Sequence, residues 1–211
     1  MSLITAIEIS EDDPNFREIY VDDEHVARVD AATVTLIQLE VGSAWAQEQS
    51  SAVALHQDQQ EARAMAMDLI SRRMWGSQEL RSRLIQRGVQ KEIAELVINS
   101  LLEDDWLDDV AYAEALIRET TRKEPAGKFL LREKLTLKHI SSRITEAAIE
   151  TYTNEVPAIE RAKICLELRI KKIDPRLLSV SRNRLVKAVI RRGFTTEVVQ
   201  DAFYQLLSES S

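Results

Sequence analysis

The side chains with the greatest chemical reach in this sequence are basic. Residues 158–193 hold eleven Lys and Arg against three Asp and Glu, a local charge of +8 in a chain whose total is −7. Arg169, Lys171, Lys172, Arg176, Arg182, Arg184, Lys187, Arg191 and Arg192 are therefore the candidates to hold phosphates or an acidic protein surface. A cation cluster attracts anions at long range, and its contacts weaken with salt. Arg184, Lys187 and Arg191 stand at i, i+3 and i+7, so a helix presents them together, away from Leu185, Ala188 and Val189. The ordinary alternative is a solvated face that keeps a helix soluble.

Other chemistries find little support. His25, His56 and His139 lie far apart with no carboxylate or second His at a ligand spacing. No P-loop, GxSxG or GxGxxG occurs, and five isolated glycines do not make one. The run Glu103-Asp104-Asp105-Trp106-Leu107-Asp108-Asp109 lacks the alternating oxygen pattern of a calcium loop and ends where a helix begins, so it reads as capping rather than metal ligation. Cys165 is the single cysteine, which excludes an internal disulfide and a thiolate zinc cluster; among Ala162, Leu166, Ile170 and Ile173 it reads as a small buried hydrophobe. Trp45, Trp75 and Trp106 read as packing anchors near element ends. The expectation is a binding protein, not an enzyme, with no catalytic residue, metal or cofactor.

The elements that position the basic cluster are helical. Only five Gly and four Pro interrupt a chain rich in Ala, Leu, Glu, Arg and Ile, which helices tolerate well. The first 30 residues differ: Leu3, Thr5, Ile7 and Ile9 alternate, Ile19, Val21, Val26 and Val29 follow, and Asp22-Asp23 can close a tight hairpin turn. This predicts short strands. The same region is acidic, since residues 1–56 carry −9 while residues 57–211 carry +2. No positive, then apolar leader opens the chain and no apolar run reaches membrane-spanning length, so the expected location is the cytoplasm, with no membrane contact.

From residue 57 the chain can be laid on itself. Leu80, Leu84, Gly88-Val89, Ile93 and Val97 recur 51 residues on as Leu131, Leu135, His139-Ile140, Ile144 and Ala148. They recur again at an offset of 105 as Leu185, Val189, Gly193-Phe194, Val198 and Ala202. Each pair of helices follows another amphipathic helix, at Ala62 to Trp75, Val110 to Lys123 and Ala158 to Ile173, with breaks at Gly76, Pro125-Ala126-Gly127, Pro157 and Pro175. Ser77 and Asp109 are expected N-caps. The reading is a mainly α fold: three tandem three-helix repeats forming an elongated array, with a small N-terminal module of short strands. Its expected bounds are 1–56 for the acidic module, which also holds a helix, then 57–108, 109–155 and 156–211 for the repeats.

Taken in order, Arg73-x-x-Gly76-Ser77-x-Glu79-Leu80-x-x-x-Leu84-x-x-x-Gly88, Leu107-Asp108-Asp109-x-x-Tyr112-Ala113, Gly127-x-x-x-Leu131-x-x-x-Leu135 and Arg191-Arg192-Gly193-Phe194 resemble the RecX family of regulatory proteins. The resemblance covers about residues 57–207 and departs from the repeat at His139, which replaces glycine in the turn between second and third helices. If that turn needs positive φ, His strains it by about 1 kcal/mol. The resemblance implies a protein that binds the RecA recombinase, chiefly its nucleoprotein filament, and opposes filament growth, restraining recombination and the SOS response. It implies no cofactor, leaves room for weak non-specific contact with DNA, and fits a monomer.

The rival reading is a helical DNA-binding protein acting without a RecA partner, because a helix, a glycine turn and a second helix imitate a helix-turn-helix. The charges oppose it. The second helices carry Glu92, Glu95, Glu146, Glu150, Glu197 and Asp201 against Lys91 and Arg143, a poor complement to phosphates.

Overall fold

The structure, a computed structural model, describes residues 2–173 and 178–209. It is mainly helical, with one small antiparallel sheet in the order β1 (Ile4–Ile9), β2 (Phe16–Val21), β3 (Glu24–Asp30). The expected break at Pro175 and the candidate Arg176 lie outside the described residues. The chain divides into two compact units, residues 1–73 with 81–103 and residues 74–80 with 104–211.

In the first unit, β2 and β3 form the hairpin expected at Asp22-Asp23. Both residues hold positive φ, 50° and 68°, as a two-residue turn of matching twist requires. The alternation of β1 misleads. Its buried residue is Ile4, Ile7 is half-buried against the same core, and Leu3 and Ile9 are exposed; the register slips between Ile4 and Ala6, which brings Ile7 to the face of Ile4. One extra residue in a strand moves the following side chains to the other face. Ile4, Ile19, Val21, Ala27 and Val29 pack with Leu39 and Val53.

Val53 belongs to α2 (Gln47–Arg72), which follows the short α1 (Ala31–Leu36) and begins 15 residues before the amphipathic pattern that opens at Ala62. Its first half leans on the sheet. His56 Nε2 lies 3.0 Å from Asp30 Oδ2, and Gln57 donates to the Arg28 carbonyl at 2.7 Å. Its second half buries Ala62, Ala66 and Leu69 and packs on α4 (Lys91–Glu103). Two faces serve two partners in succession, so no single apolar period runs through the helix. The expected boundary at 56/57 therefore falls inside α2.

The three-helix repeats are α2, α3 (Ser77–Gln86) and α4; α5 (Asp109–Thr121), α6 (Lys128–Leu137) and α7 (Ser142–Glu155); and α8 (Ala158–Ile170), α9 (Leu178–Ile190) and α10 (Thr196–Glu209). The second unit holds one apolar cluster for each of the last two. Tyr112, Ile117, Leu131, Leu135, Ile140 and Ile149 form the first; Cys165, Leu166, Leu185, Val189, Phe194 and Phe203 are among the second. The offset of 51 extends to the first helices, where buried Ala62 and Ala66 correspond to buried Ala113 and Ile117. In each repeat the turn between second and third helices has one left-handed residue, Gly88 at φ 98°, His139 at 58° and Gly193 at 87°. His139 thus adopts the glycine conformation, and the turn closes as in repeat one. Ile140 N donates to Leu135 O at 3.2 Å as Val89 N donates to Leu84 O at 3.1 Å, the helix-ending bond of a left-handed cap.

The expected caps need correction. Asp108, not Asp109, caps α5, accepting from Val110 N and Ala111 N. Ser77 is not a cap acceptor but a donor. Its N–H and hydroxyl reach Asp109 Oδ1 and Oδ2 at 2.7 and 2.6 Å. A tertiary partner 32 residues away claims both side chains, which local cap preferences do not register.

Candidate anion-binding face of the third repeat

The candidate site rests on α8 and α9. Ala162, Cys165 and Leu166 on α8 and Leu185 and Val189 on α9 face the core, at spacings of three and four that keep the apolar stripe narrow. Outside that stripe the exposed residues include Glu160, Ile164 and Glu167 on α8 and Arg182, Asn183, Arg184 and Lys187 on α9. Arg169, Lys172 and Ile173 from the end of α8 and Ser181, Arg184, Leu185, Ala188 and Arg191 from α9 line a cleft of about 530 Å³. Lys172, Arg184 and Arg191 are exposed there, and Lys171 and Lys187 are exposed beside it.

Burial, reinforced by the neighbouring Arg192 and Arg191 guanidinium groups, pushes the Arg169 pKa below the ordinary arginine value. Lys172, Arg184 and Arg191 stand exposed around the same cleft, so the cleft attracts anions. It has the chemistry to hold phosphate or carboxylate groups by charge-assisted hydrogen bonds.

The remaining candidates have other partners. Arg182, although exposed, places its guanidinium 5.2 Å from the centre of the Phe203 ring and 5.9 Å from that of Tyr204, bracing α9 on α10. Arg192 donates from Nη2 to Thr120 O at 3.1 Å and from Nε to Pro125 O at 3.2 Å. Arg169 donates to its own-helix Cys165 O at 3.1 Å and to Glu124 Oε2 at 3.1 Å. Glu124 lies between the two arginines, with Arg192 Nε 3.6 Å from Oε2. These two side chains join repeat three to the end of α5.

That joint contains a residue the charge count did not single out. Arg161 is buried, donates to Ala126 O at 2.6 Å and Val156 O at 3.0 Å, and lies against the Tyr152 and Phe194 rings. Its sequence signal is an arginine next to Ala162 on the apolar side of α8. At the centre of the joint, Gly127 N donates to Arg192 O at 2.8 Å and Phe129 N to Gly193 O at 3.3 Å. A Cβ on Gly127 would lie 2.0 Å from the Gly193 carbonyl oxygen, and one on Gly193 would lie 2.3 Å from Leu130 N.

Two of the carboxylates weighed against a DNA-reading helix, Glu95 and Glu146, have arginine partners. Glu146 accepts from Arg132 Nε and Nη2 at 2.6 and 2.7 Å, and that hydrogen bonding holds its pKa below the ordinary glutamate value. Glu95 pairs with Arg81 in the same way, 51 residues earlier. Among the described residues, no group of three or more His, Cys, Asp or Glu side chains could hold a metal, and no helix is long and apolar enough to cross a membrane.

Residues 62–101 match the RecX first three-helix domain. The chain is similar to the regulatory protein RecX of Halalkalibacterium halodurans, with 26% identity over 207 residues covering 96% of this chain and 77% of the relative. It is also similar to the regulatory protein RecX of Chlorobium limicola, with 28% identity over 149 residues covering 69% of this chain and 89% of the relative. A crystal structure of a regulatory protein RecX shares the fold, with a TM-score of 0.76 at 22% identity over 95% of this chain and 100% of that one.

Proposed function

Because this chain belongs to the RecX family, we propose that it is a non-enzymatic regulator which binds the RecA recombinase, chiefly as its filament on DNA, and opposes filament growth. The observation that carries the reading is the cationic cleft of repeat three, where the exposed Lys172, Arg184 and Arg191 converge in a chain of net charge −7. A nucleoprotein filament presents DNA phosphates and acidic protein surface together, and such a cleft is attracted to both. The action is cytoplasmic, requires no cofactor, and restrains recombination and the SOS response.

Direct DNA binding without RecA is the second reading, favoured by the same cleft. A binding titration separates the two. At equal salt and strand length, RecA-coated single strands should bind the chain at least tenfold more tightly than bare strands, and added chain should slow filament extension. Equal affinity for coated and bare strands, with extension unchanged, would favour the DNA-binding reading instead.

A further inference from the structure

The repeats carry a docking logic that is used twice and is available a third time. In repeat two, the start of a helix is taken by four side chains. Asp109 accepts from Ser77 N and Oγ; Tyr112 OH and Lys138 Nζ donate to Glu79 Oε2 and Oε1 at 2.7 and 2.8 Å. Ile140 closes over Gly76, where a Cβ would lie 3.4 Å from Ile140 Cδ1 and 2.8 Å from the Tyr112 ring. In repeat three the corresponding turn, Arg192-Gly193-Phe194, takes the start of α6 at Gly127, which is the counterpart of Gly76 51 residues on.

Subtracting the same 51 residues from Asp109, Tyr112, Lys138 and Ile140 gives Asp58, Glu61, Arg87 and Val89. All four line one cleft of about 210 Å³ on the first unit, with Gly88 and Ile93. Their counterparts in repeat two are engaged. Among the described residues, the side chains of Asp58, Glu61 and Arg87 make no hydrogen bond or ion pair, and nothing lies within 4 Å of where a Gly88 Cβ would stand.

We propose that this cleft is a docking socket for the first turn of a helix in a partner protein, entered by a small residue followed by Ser or Thr, as repeat two takes Gly76-Ser77. Asp58 accepts from the first backbone N–H and the hydroxyl. Glu61, standing where repeat two has Tyr112, places a second carboxylate toward the positive end of the incoming helix. Arg87 replaces Lys138 and, with five N–H groups, spans Glu61 and an acidic residue at the position of Glu79. With Glu61 in place of the Tyr112 ring, the entering residue need not be glycine.

A second copy of this chain is a poor occupant. Its two glycine-led helix starts are already docked within the chain, and the third counterpart, Ser181, lies inside α9 rather than at its start.

The test is a titration of the isotope-labelled full chain with an acetylated peptide copying residues 75–87, followed by amide shifts. It contains neither DNA nor RecA, so its result is independent of the proposed function. Saturable shifts at Arg87–Gln90 and around Asp58 are expected, with affinity in the millimolar range because so short a helix is marginal in water. Binding should weaken at least fivefold for Asp58→Ala or Arg87→Glu, exposed substitutions that leave the fold intact, and for a peptide with Ser77→Ala. Absence of saturation at the socket, equal binding by Asp58→Ala, or shifts confined to Asp109 and Tyr112 would overturn the proposal. Self-association abolished by Asp58→Ala would overturn the choice of a foreign partner.

Discussion

Arg191 and Arg192 are neighbours in sequence with opposite assignments. The Arg191 side chain lines an exposed cleft, whereas Arg192 serves carbonyl oxygens of Thr120 and Pro125. Removing Arg192 takes that donor from Thr120 O and leaves Pro125 O, among the described residues, with only the Cys165 thiol, and Arg192→Ala should cost about 1–3 kcal/mol in denaturant unfolding, while Arg191→Ala stays within about 0.5 kcal/mol. Equal costs would contradict this division. Cys165 supplies a pH-dependent counterpart. Burial pushes its thiol up to about 11 from 9.0, against the smaller opposing effects of Arg192 and Arg161. The folded state holds the proton more tightly than the unfolded chain, so this stability is present below about pH 9 and is lost as pH rises toward 11. Unfolding titrations of wild type and Cys165→Ala over that interval should converge or cross as wild type loses the contribution. Parallel curves would show that the thiol does not participate.

At the scale of elements, the three left-handed turns share a conformation but not an environment. Gly88→Ala meets open space and should cost only the left-handed strain, about 1 kcal/mol. Gly193→Ala adds a clash with the Leu130 backbone, and Gly127→Ala clashes with the Gly193 carbonyl. Each of these should cost at least about 2 kcal/mol, because backbone cannot yield as a side chain tip can. His139→Gly relieves strain at φ 58° and should be neutral or stabilising by up to about 1 kcal/mol. Thermal unfolding of the four variants gives the order directly, and a Gly88 variant as damaged as the Gly193 variant would refute it.

For the whole molecule, charge is the property that a filament would sense. Arg184, Lys187 and Arg191 are exposed on α9, so replacing all three by Ala should leave the unfolding transition within about 0.5 kcal/mol per site. Binding to RecA-coated strands should weaken, and the magnitude of the slope of log affinity against log salt should fall by roughly 2 if all three contact single-strand phosphates. A folded triple variant with unchanged binding and an unchanged slope would reduce this face to a solvated one. Arg169 and Arg192 do not belong in that experiment, since their loss would disturb the joint with Glu124 and the α5 end as well as the charge.

Much of the architecture was legible because it is local. The recurrence of Leu80, Leu131 and Leu185, and of the turn at 88, 139 and 193, follows from helices that each bury one stripe and end on one left-handed residue. The hairpin at Asp22-Asp23 was legible for the same reason. The tertiary structure decided what depends on residues distant along the chain. It lengthened α2 by giving its first half to a sheet, moved the α5 cap from Asp109 to Asp108 because Ser77 claims Asp109, and withdrew Arg169 and Arg192 from an apparently uniform basic segment. Composition gives every arginine the same charge. Only the packing of one repeat on the next determines which guanidinium finds a carbonyl or a carboxylate and which is left facing solvent.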